Sequence, residues 1–117
     1  MTAKMFPAVL AAVLVLLGAY FMLMKGGDVS GAEARRLVQA GARLIDVRSS
    51  AEFAAGHVAG AVNIPVQDLG ARLSDLPPKD GAVVVYCRSG HRSRAAARLL
   101  KKAGFEAVHD LGPMSRW

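Results

Sequence analysis

Apolar and polar positions divide the chain into two unlike parts. Residues 5–24 form one continuous apolar run without a charged side chain. From residue 28 onward, short apolar runs alternate with stretches whose apolar residues recur at helical spacing. The short runs predict strands at residues 44–47, 61–64, 83–86 and 107–109. Strands that alternate with helices in this way predict an α/β fold, in which a parallel sheet carries helices on both faces.

Capping signals place the helices of this second part. Ser30, followed three positions later by a glutamate, has the spacing of a capping box. Ser49 or Ser50 can cap a short helix that runs through residues 52–55 (EFAA) and is closed by Gly56. We further predict a helix that Asp68 caps and a helix over residues 93–103.

The apolar run has the length of a membrane span. Twenty helical residues extend about 30 Å, the thickness of the hydrocarbon core of a bilayer. A signal peptide has a shorter apolar region, and the nearest small-x-small motif, at residues 30–32, would place cleavage inside the first helix of the domain. We therefore predict that residues 1–25 are a retained transmembrane anchor or uncleaved signal, and that residues 26–117 are one domain.

The charges beside the run bear on its orientation. Lys4 and the α-amino group precede it, whereas Lys25, Arg35, Arg36 and Arg43 follow it closely. The positive-inside rule therefore weakly favours a single-pass membrane protein whose domain faces the cytoplasm.

Composition excludes several kinds of site. The chain carries a formal charge of +6 and a single cysteine, so it has neither an intramolecular disulfide nor a zinc site built from several cysteines. Its three histidines are scattered, with no carboxylate cluster beside them, and we predict neither a metal nor a cofactor. Because no aromatic residue lies among the basic side chains of residues 88–102, we predict no nucleic-acid partner.

The single cysteine, Cys87, directly follows the predicted strand at residues 83–86. In a parallel sheet, ligands bind beyond the carboxyl ends of the strands, near helix N-termini. Arg88 and Arg92 flank the turn, and Gly90 can take a positive φ that lets several backbone N–H groups point inward as an anion-binding nest. Thiols in such surroundings ionise readily, so we predict that Cys87 attacks an electrophilic sulfur or phosphorus of an anionic substrate.

Two simpler interpretations are weighed against this one. A lone cysteine in a small domain is usually an inert core residue, although the position of Cys87 at the boundary between strand and loop disfavours that interpretation here. A basic helix surface is usually only solvated, and this interpretation holds for Arg94, Arg98, Lys101 and Lys102.

Several motifs, in order, resemble the single-domain rhodaneses, a family of sulfurtransferases. Residues 44–48 (LIDVR) resemble the first sheet motif of the family, and Glu52-Phe53 is similar to the acidic–aromatic pair that follows it. Residues 56–65 (GHVAGAVNIP) and 84–93 (VVYCRSGHRS) resemble the central segment and the catalytic loop. The closing residues 111–117 (LGPMSRW) are similar to the final motif, except that Pro113 replaces its second glycine.

This resemblance implies that Cys87 takes a sulfane sulfur as a persulfide and passes it to a thiophilic acceptor. The active-site loop would then consist of Arg88, Ser89, Gly90, His91, Arg92 and Ser93, with Arg88 and Arg92 as candidates for holding a donor such as thiosulfate. The acceptor would be a thiol, a cyanide-like anion or a protein thiol partner. A persulfide carrier without efficient turnover stays open as an alternative.

The length of the loop bears on a second alternative. Phosphatases and arsenate reductases with a similar fold carry a Cys-x5-Arg loop, whereas Arg92 here makes the pattern Cys-x4-Arg. The shorter loop favours sulfur transfer.

The remaining polar candidates have structural interpretations. We predict that Asp46 and Arg48 form an ion pair at a strand end and support the site. We expect His57 to hydrogen-bond a turn, and His109 to be structural.

Overall fold

The chain is described by a computed structural model that covers residues 5–24 and 28–117, with the side chains of the first helix described at residues 6–20. Helix α1 runs from Met5–Met24, so the apolar run is helical over its whole predicted length. Lys4 and Lys25 lie outside the described residues, as do Gly26 and Gly27, and the predicted orientation of the domain rests in part on those two lysines.

The described part of α1 exposes large apolar side chains, among them Phe6 at 73% and Val15 at 71%. Within the described residues, however, no helix has the combined length and apolarity that are needed to cross a bilayer. A span requires about 20 apolar residues, and the predicted anchor includes side chains at residues 21–24 that lie outside the described ones. The predicted transmembrane anchor is therefore not supported.

The second part of the chain forms an α/β domain whose elements follow the predicted order. Its helices are α2 (Gly31–Gln39), α3 (Ser50–Ala55) and α4 (His91–Lys102). Its strands are β1 (Arg43–Asp46), β2 (Val62–Asn63), β3 (Val83–Cys87) and β4 (Val108–Pro113). Short 3-10 helices occupy Val66–Ala71, Leu73–Asp75 and Met114–Arg116.

The four strands form one sheet in the order β2-β1-β3-β4, and every neighbouring pair is parallel. All five residues of β3 are buried, as expected for an interior strand that is covered on both faces. One core cluster packs β1 and β3 against α4 and the 3-10 helices, with Leu69 and Leu100 fully buried. A second cluster packs the opposite face against α2, through Ala34 and Tyr86. The predicted parallel sheet with helices on both faces is confirmed.

The segment after β2 differs from the predicted helix that Asp68 was expected to cap. Asp68 lies inside the 3-10 helix, and its N–H donates to Pro65 O, three positions back, at 2.9 Å. Leu76 N donates in the same way to Leu73 O. The chain therefore takes the tighter 3-10 geometry in two short pieces, and the prediction of one capped helix was wrong.

Candidate active site at the carboxyl end of strand β3

Cys87 is the last residue of β3, in the interior of the sheet. Its side chain is a free thiol, fully buried, in the core cluster that contains Ala96 and Ala97 of α4. The two interpretations of Cys87 were a reactive thiol at the loop and an inert core cysteine. In the structure Cys87 is buried like a core residue and lies at the start of the loop, and its reactivity stays a prediction.

The loop after Cys87 brings a backbone N–H to the sulfur. Gly90 N donates to Cys87 Sγ at 3.0 Å. Gly90 has a φ of 102°, in the left-handed region that favours glycine, and it is the N-cap of α4. Both an N–H donor and the start of a helix stabilise negative charge on sulfur. The predicted place of the cysteine at a helix N-terminus is confirmed, and the Gly90 contact is one N–H of the kind that the predicted nest requires.

Arg92 is held by a carboxylate that lies far away in the sequence. Its Nη1 and Nη2 bind Glu52 Oε1 and Oε2 at 2.6 and 3.0 Å, a bidentate ion pair between α4 and α3. Glu52 also closes the capping box of α3, because it receives the backbone N–H of Ser49 at 3.2 Å. The guanidinium that we expected to hold a donor thus also fastens the loop to α3.

The electrostatics of Glu52 follow from these contacts. The hydrogen bonds from Arg92, and after them the backbone N–H of Ser49, lower the pKa of Glu52 from 4.5 to about 2. The carboxylate therefore stays charged at neutral pH. In return, the hydrogen bond to Glu52 raises the pKa of Arg92.

A pocket of about 360 Å³ opens beside the loop. It brings two guanidinium groups, one carboxylate and a thioether to the same wall, and its lining comprises Arg48, Glu52, Ala55, Gly56, Arg88 and Met114. Arg88 itself is exposed. Arg48 and Glu52 are each held in an ion pair, with Asp46 and Arg92, so the exposed Arg88 is the group of this lining that can offer its positive charge to a small anion.

Asp46 and Arg48 form the predicted ion pair, with Arg48 Nη2 at 2.7 Å from Asp46 Oδ2 and both side chains buried. The same Nη2 donates to Gly56 O at 2.6 Å, which ties the end of β1 to the pocket wall. The guanidinium also lies 5.9 Å from the ring centroid of Tyr86. Burial raises the pKa of Tyr86 to about 12, and its hydroxyl accepts the N–H of Val58 at 3.1 Å.

The other predicted loop residues divide between the surface and the interior. Ser89 and His91 are exposed, whereas Ser93 is fully buried in the first turn of α4. His57 Nδ1 lies 2.8 Å from Phe53 O, so its predicted role in a turn is confirmed. Asp110, a buried carboxyl in β4, was not among the predicted site residues. Its signal in the sequence was an acidic residue inside a short strand segment, between Val108 and Leu111.

Among the described residues, no group of three or more His, Cys, Asp or Glu side chains is arranged to hold a metal ion.

An interior parallel strand that ends in a cysteine, followed by a glycine turn into a helix N-terminus, defines an α/β protein with a cysteine at the junction of strand, loop and helix. Residues 30–117 match the family model described as the rhodanese-like domain. The chain belongs to the rhodanese-like family.

Several relatives within this family are named as sulfurtransferases. The chain is 40% identical over 75 residues to a sulfurtransferase of Allochromatium vinosum, and the aligned segment covers 63% of this chain and 69% of that protein. It is 37% identical over 102 residues to chloroplastic thiosulfate sulfurtransferase 16 of Arabidopsis thaliana, covering 77% and 85%. The solved structure of the human single-domain sulfurtransferase TSTD1 is similar with a TM-score of 0.67 at 32% identity, covering 76% and 89%. The aligned segment spans 60% to 85% of the first curated relatives, so it leaves out a substantial part of some of them.

Proposed function

We propose that the chain is a sulfurtransferase that carries sulfur as a Cys87 persulfide. The Cys87 thiolate attacks the outer sulfur of a donor such as thiosulfate, the S–S bond of the donor breaks, and sulfite leaves with the electron pair. An acceptor nucleophile, a thiolate or cyanide, then attacks the terminal sulfur of the persulfide and releases the Cys87 thiolate. The observation that carries the proposal is the N–H of Gly90 at 3.0 Å from Cys87 Sγ, because both steps leave negative charge on sulfur.

The pocket supports an anionic donor. Arg88 brings positive charge to its wall, while the charge of Arg48 is offset by Asp46, and a small anion beside Arg88 would lie next to the loop. In this proposal Arg88 meets the donor, while Arg92 is bound to Glu52 and keeps the loop in place. The relatives that are named sulfurtransferases support the reaction class, and the thiosulfate sulfurtransferase among them supports the donor class.

Two alternatives have less support. A persulfide carrier shares the first step and differs only in lacking efficient turnover. A phosphatase or arsenate reductase would need a guanidinium free to enclose a tetrahedral oxyanion, and Arg92 is instead engaged by Glu52 in a loop of the shorter Cys-x4-Arg type.

The division of the chain belongs to the proposal as well. We assign the chemistry to residues 26–117, since the family match begins at residue 30 and the site is built from that part alone.

Intact-mass measurement after incubation with thiosulfate tests the first step. We expect a gain of about 32 Da, one sulfur atom, in the wild-type chain and none in Cys87→Ser. Multiple-turnover formation of thiocyanate from cyanide would then favour the enzyme, and a single turnover would favour the carrier. Absence of the adduct, or an adduct that persists in Cys87→Ser, would refute sulfur transfer through Cys87. Hydrolysis of an aryl phosphate without any adduct would favour the phosphatase.

A further inference from the structure

Asp110 is a buried carboxyl to which the proposed mechanism gives no role. It lies in β4 with 5% of its surface exposed. Its Oδ1 accepts the N–H of Gly112 at 2.8 Å, and the hydroxyl of Ser93 is a second polar group that interacts with its carboxyl. Desolvation by burial raises its pKa, while the Ser93 and Gly112 contacts oppose that rise. A polar group in the core of a small domain calls for an explanation from its contacts.

The contacts of Asp110 continue through Ser93 and Gly90 to the sulfur of Cys87. Ser93 is fully buried, and its Oγ lies 3.1 Å from Gly90 O, so its single O–H proton is donated either to that carbonyl or to the carboxyl of Asp110. The N–H of Gly90 in turn donates to Cys87 Sγ at 3.0 Å. The hydroxyl of Ser93 therefore stands between the carboxyl of Asp110 and the glycine that contacts the thiol.

A packing contact connects the same two regions. A Cβ placed on Gly90 would lie 3.6 Å from Pro113 Cδ and 3.9 Å from Gly112 Cα, and Cys87 pairs with Pro113 across the sheet, so the end of β4 lies next to the turn. Asp110 shapes that end, because it binds the N–H of Gly112. Both the hydroxyl of Ser93 and the strand end thus relate this carboxyl to the position of Gly90.

We propose that Asp110 is a positioning residue for the Cys87 loop, acting through Ser93 to hold the Gly90 N–H against the sulfur. The inference rests on the proposed function only in taking Cys87 as the reacting group. Asp110 touches neither the thiol nor the pocket wall in the contacts that the structure gives, so its effect on the sulfur is indirect.

The thiolate fraction of Cys87 tests this inference without any sulfur donor. It is read from the ultraviolet absorbance of the thiolate, as the difference between each variant and the same variant carrying Cys87→Ser. All variants are compared at the pH at which half of the wild-type thiol is ionised. We expect Asp110→Ala to lower the ratio of thiolate to thiol by about threefold, because the N–H contact to the charged sulfur is weakened.

Asp110→Asn is the matched control. Its amide oxygen can accept from Gly112 N–H and its amide nitrogen can donate to Ser93, so we expect a wild-type ratio. Both substitutions remove the same negative charge, and a purely electrostatic influence of Asp110 would raise the thiolate fraction in both. A ratio that rises in both variants, or that falls equally in both, would overturn the inference.

A double-mutant cycle tests the route through Ser93. If Asp110 acts through that hydroxyl, Ser93→Ala alone lowers the ratio, and Asp110→Ala adds little to it. Effects that multiply in the double variant, or a wild-type ratio in Ser93→Ala, would contradict the proposal. Ser93→Ala keeps the carboxyl, so a wild-type ratio in this variant would refute the route through Ser93 even if Asp110→Ala fails to fold.

Persulfide formation is measured in parallel on the same variants. A wild-type chain that forms no persulfide, together with the expected thiolate ratios, would refute the proposed function and support the role of Asp110. Persulfide formation with unchanged thiolate ratios would do the reverse.

Discussion

At the scale of single residues, the site uses its arginines for two different purposes. Arg48 is buried against Asp46, and Arg92 is fastened to Glu52. Such pairs fix the geometry of a polar site because the bidentate fork restricts both partners. Arg88 is the exposed guanidinium of the loop that faces the pocket. A basic loop in the sequence is therefore not equivalent to an equal number of arginines available to a substrate.

The ion pair between Glu52 and Arg92 predicts how stability depends on pH. The pKa of Glu52 is about 2 in the folded chain and ordinarily 4.5. A depressed carboxyl pKa adds stability that is present above the ordinary value and is lost as the pH falls through the folded value. We expect the midpoint of thermal unfolding of wild-type chain to fall more steeply between these two values than that of Glu52→Gln.

Thermal unfolding followed by circular dichroism over that pH range measures the difference. Glu33→Gln is the control, since Glu33 is also a surface carboxyl in the first turn of a helix with an arginine partner three positions on. Parallel curves for wild type and Glu52→Gln would show that the pair does not contribute.

The residues that sequence alone could place are those whose partners are local. Asp46 and Arg48 stand two positions apart at a strand end, and their ion pair was predicted. The partner of Arg92 lies 40 positions away, on a helix whose position next to the loop depends on the whole sheet. Asp110 was not predicted for the same reason, because its carboxyl comes close to Ser93 only when β4 lies beside β3.

At the scale of elements, the unit that matters is the strand, the turn and the helix from β3 to α4. The buried run of β3 and the glycine turn before α4 could both be predicted from the sequence, because an apolar run and a glycine act locally. The sequence did not predict that β4 extends to Pro113, or that the segment after β2 forms short 3-10 helices. Their geometry is set by tertiary contacts, such as that of Leu69 with the core under α4.

The turn itself predicts the effect of a single methyl group. Gly90→Ala places a side chain at a φ of 102°, which costs about 1–2 kcal/mol in the left-handed region. The added Cβ meets Pro113 Cδ at 3.6 Å, an ordinary contact, so strain comes from the backbone. Relief of that strain moves the N–H away from Cys87, and we expect persulfide formation to slow by about tenfold.

Gly41→Ala is the matched control, because Gly41 has a φ of 110° with open space around its Cβ position, after α2. Urea denaturation should show a similar loss in free energy of unfolding for both variants, while only Gly90→Ala slows the formation of the persulfide. Equal rates in the two variants would mean that the Gly90 turn has no special part in the reaction.

At the scale of the whole molecule, a set of contacts made by Asp28, which we call the clasp, holds the first described residue of the domain to β4 and α4. Asp28 N donates to Asp110 O at 2.7 Å, and Asp110 N donates to Asp28 Oδ1 at 2.7 Å. Lys101 Nζ lies 3.6 Å from the other oxygen of Asp28. Among the described residues, the two core clusters are built from side chains of residue 29 onward. The clasp therefore marks the physical beginning of the folded unit.

This arrangement predicts which truncations the domain tolerates. A chain of residues 26–117 keeps the clasp and both core clusters, so we expect its midpoint of thermal unfolding to equal that of the full chain in the same detergent.

A chain of residues 30–117 retains the matched family region but loses the Asp28 contacts. The N–H of Val29, which donates to Asp110 O at 3.3 Å, is lost as well. At roughly 1 kcal/mol for each of these three hydrogen bonds, the midpoint should fall by about 12–24 °C. Asp28→Ala in the 26–117 chain removes the side-chain contacts alone and should give a smaller decrease. If the 26–117 chain unfolds well below the full chain, helix α1 contributes to the stability of the domain, and the proposed division at residue 25 is wrong.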